Sequence, residues 1–110
     1  MPRSIPRIDS SKEVAYLTGS GNYTQLHYPD GRQALVAITL KNTLLRFPYL
    51  IRIHKQTAVN PDYATQWNLI NRFEAKVRVT AGGKADLFAI SRRRINAVRT
   101  RLAELQQGSV

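Results

Sequence analysis

Cysteine is absent from this chain of 110 residues. That removes a disulfide scaffold, a cysteine-ligated zinc finger and a thiol nucleophile. Long apolar runs are missing as well. The longest is Ala34 to Ile38, far short of the roughly 20 residues with which a helix spans a bilayer. No signal peptide opens the chain, so a cytoplasmic protein with no membrane partner is expected. No Pro- or Gly-rich linker divides the middle and no internal repeat shows. The expectation is one domain over residues 5–107, with frayed ends at 1–4 and 108–110. A domain of this size can bury a core without metal or crosslinks, though not a large one.

Acid is scarce. Seventeen Lys and Arg stand against seven Asp and Glu, a formal net charge of +10. The usual partners of such a surface are nucleic acid, anionic membrane or an acidic protein. The charge is also uneven. Arg92, Arg93, Arg94, Arg99 and Arg101 fall within ten residues, and no acid follows until Glu104. The plain reading is a solvated helix face. A membrane or acidic-protein adaptor is disfavoured, because this basic stretch lacks an aromatic-rich apolar face. Catalysis by His54 or His27 would need a nearby carboxylate or nucleophile in a pocket. The few acids form no evident pair, so neither enzyme activity nor a cofactor is expected.

What is present reads mostly as short strands. Val14–Leu17, Tyr23–Tyr28 and Gln33–Ile38 are strand-like, the last two joined by the turn signal Pro29-Asp30-Gly31. Tyr63 to Ile70 would place Tyr63, Thr65, Trp67 and Leu69 on one face. Phe73, Ala75, Val77 and Val79 alternate with Glu74, Lys76, Arg78 and Thr80, the pattern of a half-buried strand. Gly82-Gly83 turns it into Ala85–Ile90. Two helices interrupt the strands. Thr39 is a candidate N-cap for Leu40, Leu44 and Phe47, and Pro48 stops the run. The second helix starts at Ser91 and carries a stripe of Ile95, Val98, Leu102 and Leu105, with Ile90 and Ile95 spaced for a hydrophobic staple. The class is mainly β: an elongated stack of small antiparallel sheets with two short helices.

Two places carry chemistry. At Leu50 to Asn60 a short apolar strand, Tyr49–Ile53, runs into His54-Lys55, with Gln56 and then Val59-Asn60 behind. It delivers an imidazole, a cation and several amides at one loop, groups that suit phosphates and base edges. His54 reads as a residue that holds the loop, and Asn60 before Pro61 as a turn initiator. The second place is Ser91-Arg92-Arg93-Arg94. A helix start carries partial positive charge and unpaired N–H groups, so it favours acids. Three arginines there cost stability unless an anion docks among them. The plainer alternative is an ion pair with Asp86 or Glu74.

These segments resemble, in order, the LytTR DNA-binding domain family. The likeness rests on Glu13-Val14-Ala15-Tyr16-Leu17, Ser20-Gly21-Asn22-Tyr23-Thr24, the Asp30-Gly31 turn, Thr39-Leu40-Lys41, Arg52-Ile53-His54-Lys55, Val59-Asn60 and Ser91-Arg92-Arg93. It covers roughly residues 5 to 105. It implies a bacterial transcription regulator, or the excised output domain of a two-component response regulator. Such a domain reads direct repeats in promoter double-stranded DNA through loops that enter successive major grooves. The resemblance assigns base contacts to Asn22, Lys55 and Arg93, with Tyr23, His54, Gln56, Ser91, Arg92 and Arg94 at the DNA backbone or in support. Two copies on one repeat would form a homodimer on DNA. A receiver domain has no room here, so control would come through a separate receiver domain or sensor kinase. Lys55 stands where the family more often has arginine, which replaces a bidentate fork by a point charge. Gln56-Thr57-Ala58 also departs from the usual serine and aromatic. The alternative function is an RNA- or ribosome-associated basic β protein, although no RNP-like aromatic motif is present.

Overall fold

A computed structural model describes residues 13–107. The frayed ends expected at 1–4 and 108–110 lie outside the described residues. Eight strands form two antiparallel sheets. The larger has the order β3-β2-β1-β5-β4, from Gln33–Val36, Tyr23–His27, Tyr16–Ser20, Thr57–Val59 and Ile51–His54. The smaller has the order β6-β7-β8, from Ala64–Leu69, Ala75–Ala81 and Lys84–Ala89. Helix α1 (Leu40–Thr43) continues into a 3-10 turn at Leu44–Arg46, and α2 spans Ile95–Gln107. The molecule is elongated, 49 × 28 × 25 Å, and mainly β as its sequence pattern predicts.

The five-stranded sheet is buried on both faces, and the two-residue period of its strands decides which side chain goes where. Ile51 and Ile53 share one face, and Ala58 and Val59 take opposite faces. One face, with Ala15, Ile51, Ile53 and Val59, packs on Ala75, Val77 and Val79 of β7 and on Ile90, Ile95 and Val98. The other face, with Leu17, Leu26, Val36 and Ala58, packs on Leu40, Phe47 and Leu50. Ile90 and Ile95 both enter the core, as the staple spacing predicts.

Four expectations need correction. Thr57–Val59 is a strand, not part of a loop; with three residues it is too short for periodicity to announce it, and its place between β1 and β4 makes it. In β6, pairing passes from Ala64↔Val79 to Gln66↔Arg78. This bulge leaves Thr65 exposed, so of the expected face Tyr63-Thr65-Trp67-Leu69 only Tyr63, Trp67 and Leu69 pack against the core. Phe73 precedes β7 and is 62% exposed, outside the buried row of Ala75, Val77 and Val79. The helix does not start at a Ser91 side-chain cap. Arg92–Arg94 form a 3-10 turn without one, and the α-helix begins at Ile95. Thr39 does cap α1, its Oγ1 accepting from the N–H of Asn42 at 3.3 Å.

Candidate nucleic-acid interface

β1 and β2 meet at a two-residue turn, Gly21-Asn22, where Ser20 pairs with Tyr23. Gly21 has φ +58°, the positive first central position of a hairpin turn whose twist matches its strands. Asn22 sits exposed at the tip, followed by Tyr23, which is 52% exposed.

The β4–β5 turn lies at the same end, because β5 runs antiparallel to β1 and pairs Thr57 with Thr18. The N–H of Gly19 donates to the carbonyl of Gln56 at 2.8 Å, joining the two tips. A Cβ on Gly19 would stand 2.6 Å from Gln56 Oε1, so the glycine makes room for that side chain. Within the turn, His54 Nδ1 accepts from the N–H of Gln56 at 3.2 Å. Arg52 Nη2 donates to the carbonyl of Lys55 at 2.7 Å. His54 therefore holds the loop, and the Lys55 side chain is left exposed.

The third segment is tied to the second. The N–H of Ser91 donates to the carbonyl of Ile53 at 2.7 Å, and the N–H of Arg94 returns to the carbonyl of Ser91 at 2.8 Å. Ser91 thus acts through its backbone. Arg92 and Arg93 are exposed, while Arg94 is half-buried and turned toward Arg52. Burial, then Arg52, then Arg93 lower the Arg94 guanidinium pKa from its usual value. The Nε atoms of Arg52 and Arg94 are buried without a hydrogen-bond partner.

The ion pair weighed for the arginines does not form. Asp86 Oδ2 accepts from the Tyr16 hydroxyl at 3.2 Å, and among the described residues the ion pair present is Arg32 with Asp30. Asn60 is a buried brace: its Nδ2 donates to the carbonyl of Val14 at 2.9 Å and its Oδ1 accepts from the N–H of Asp62 at 2.9 Å.

Topology brings Asn22, Tyr23, His54, Lys55, Gln56, Ser91, Arg92 and Arg93 to one end of the molecule. It adds Lys41, at the start of α1, because Ile38 is held to Thr24 beside Tyr23. It also adds Arg72, in the β6–β7 turn, because the N–H of Ile90 donates to the carbonyl of Ala75 at 2.9 Å. Neither could be placed by spacing alone, since both depend on which strands neighbour in space. Glu13, Asp30, Asp62 and Asp86 belong to the other end, at the starts of β1, β3, β6 and β8. Arg32 and Lys84 share that end with Asp30 and Asp86, and Glu74 lies in the β6–β7 turn next to Arg72, so the first end is rich in cations without being free of acid. Among the described residues no helix is long and apolar enough to cross a membrane.

Comparison with known proteins bears on the family and the fold. The LytTr DNA-binding domain profile matches residues 8–103. A solved structure has a TM-score of 0.67 at 18% identity, covering 86% of this chain and 84% of that one. It is the LytTr DNA-binding domain of a protein described as a methyl-accepting/DNA response regulator from Bacillus cereus, and the likeness is one of fold. No curated protein matches.

Proposed function

The chain belongs to the LytTr DNA-binding domain family, a family of DNA-binding domains and not of enzymes, and we propose that it reads promoter direct repeats in double-stranded DNA through three loops. The observation that carries this is the pair of backbone bonds, Gly19 to Gln56 and Ser91 to Ile53. They fasten three loops of distant sequence into one rigid basic end. Asn22, Lys55 and Arg93 each stand exposed on one loop. Asn pairs bidentately with adenine, and Arg with guanine O6 and N7. Lys55 contributes a point charge that serves a base or a phosphate. Tyr23, Arg92 and Lys41 flank them as backbone contacts, while His54, Gln56, Ser91 and Arg94 shape the loops.

The net charge of +10 and the cations gathered at this end favour its approach to DNA. In a cytoplasmic regulator, two copies would bind adjacent repeats as a homodimer on DNA, under a receiver domain or sensor kinase.

The test is selection of binding sites from random duplexes, followed by titration across salt with structured RNA as competitor. A direct repeat spaced by about one or two helical turns is expected, with affinity falling steeply as salt rises, because releasing condensed counterions into a saltier solution gains less entropy. A flat salt response overturns the nucleic-acid reading. RNA that outcompetes every duplex favours the RNA-binding alternative.

A further inference from the structure

Phe73 is an exposed ring with two cations on it. The Arg72 guanidinium lies 5.5 Å from the ring centroid and that of Arg92 5.7 Å. The ring's position is built. Asn71 Oδ1 accepts from the N–H of Phe73 at 2.7 Å, and the N–H of Asn71 donates to the carbonyl of Glu74 at 3.2 Å. Fold stability does not account for it. Exposed cation–π contacts are weak, and with Phe73 62% exposed the ring removes little apolar surface from water.

What the ring does is fix direction. A guanidinium lying on an aromatic face keeps its N–H edges free, and those edges match a phosphate. The turn that holds Phe73 is also in the right place. Leu69 pairs with Ala75 across its base, and the carbonyl of Ala75 is bonded to Ile90, one residue before Ser91.

We propose that the β6–β7 turn is a fourth DNA-contacting element, in which Phe73 positions Arg72 and Arg92 on backbone phosphates beside the groove that Arg93 enters. This rests on the DNA reading above. Phe73 is a positioning residue; the two arginines make the contacts.

The experiment compares the full chain with Phe73→Ala, Phe73→Tyr and Arg72→Ala, by duplex titration over a salt series with cognate and scrambled sequences and melting temperature alongside. Phe73→Ala and Arg72→Ala should each weaken both duplexes alike, by roughly threefold to tenfold at low salt, and each should reduce the slope of log affinity against log salt by about 1. Phe73→Tyr should keep the parent affinity and slope. Should parent DNA binding persist while Arg72→Ala and Phe73→Ala keep its affinity and slope, the turn touches no DNA and the proposal fails. Loss of cognate preference alone would also overturn it, because phosphate contacts carry no sequence information. If Phe73→Ala lowers the melting temperature, Arg72→Ala decides, since that side chain is exposed. A parent chain that binds no duplex overturns the DNA reading and this one with it.

Discussion

Ser91 and Ile53 are joined by a 2.7 Å hydrogen bond from the backbone N–H of one to the carbonyl of the other. The bond fixes the Arg92–Arg93 segment beside His54-Lys55. Ser91 has φ −57° and ψ 135°, a conformation proline accepts. Ser91→Pro should therefore remove this donor without forcing the backbone. Stability in urea should fall by about 1–2 kcal/mol, because a buried carbonyl loses its partner. Base preference at the position read by Arg93 should broaden. Unchanged preference would show that the tether does not set the loop.

The two helix starts should respond differently to loss of a hydroxyl. Thr39 makes a side-chain cap, so Thr39→Ala should cost about 1 kcal/mol. Ser91 makes none, so Ser91→Ala should stay within about 0.5 kcal/mol of the parent. Denaturant midpoints measure both, and equal losses would contradict the difference in capping.

Arg93→Ala should leave melting temperature unchanged or slightly higher, since its like-charged neighbours are relieved. It should weaken cognate binding by roughly 1–3 kcal/mol and relax preference at one base position. Asn22→Ala should do the same at a different position. Lys55→Ala should weaken all sequences alike if it serves a phosphate. Equal loss on cognate and scrambled duplexes for Arg93→Ala would make Arg93 a phosphate clamp.

His27 stacks on Tyr16 at 4.1 Å and bonds Thr18 Oγ1 through Nε2 at 2.9 Å. Burial pushes its pKa below the usual value, with Asp86 pulling partly back. A lowered folded pKa means the native state favours the neutral ring. Its stabilising contribution is complete above the unfolded value of about 6.5 and is lost as pH falls through the lower folded value. Melting temperature should therefore drop on going from pH 7.5 toward pH 5. His27→Gln should flatten that drop; an identical pH profile would rule His27 out as its source.

Gly82 meets Gly31 where the β7–β8 turn touches the β2–β3 turn. A Cβ on Gly82 would lie 2.6 Å from Gly31 Cα, and its φ is +61°. Gly83 has φ +78° and open space around it. Gly83→Ala should cost about 1 kcal/mol for backbone conformation alone, and Gly82→Ala clearly more. Thermal melts of the two variants compare them directly, and a smaller loss for Gly82→Ala would deny that the turns are in contact.

The sequence by itself determined the class, the order of most strands, the Thr39 cap and the basic character of the chain. Each is local: a two-residue alternation, a capping hydroxyl, a count of charges. It also marked the loops through their resemblance to a known family. The tertiary structure decided the rest. β5 exists because β1 and β4 flank it, Thr65 points outward because β6 bulges, and Phe73 is exposed because β7 starts after it. Ser91 works by its backbone because Ile53 offers a carbonyl there. Lys41 and Arg72 join the basic end only through strand neighbours. Spacing along a chain reports which face of its own element a side chain takes; which elements meet is settled by pairing and burial between residues far apart in sequence.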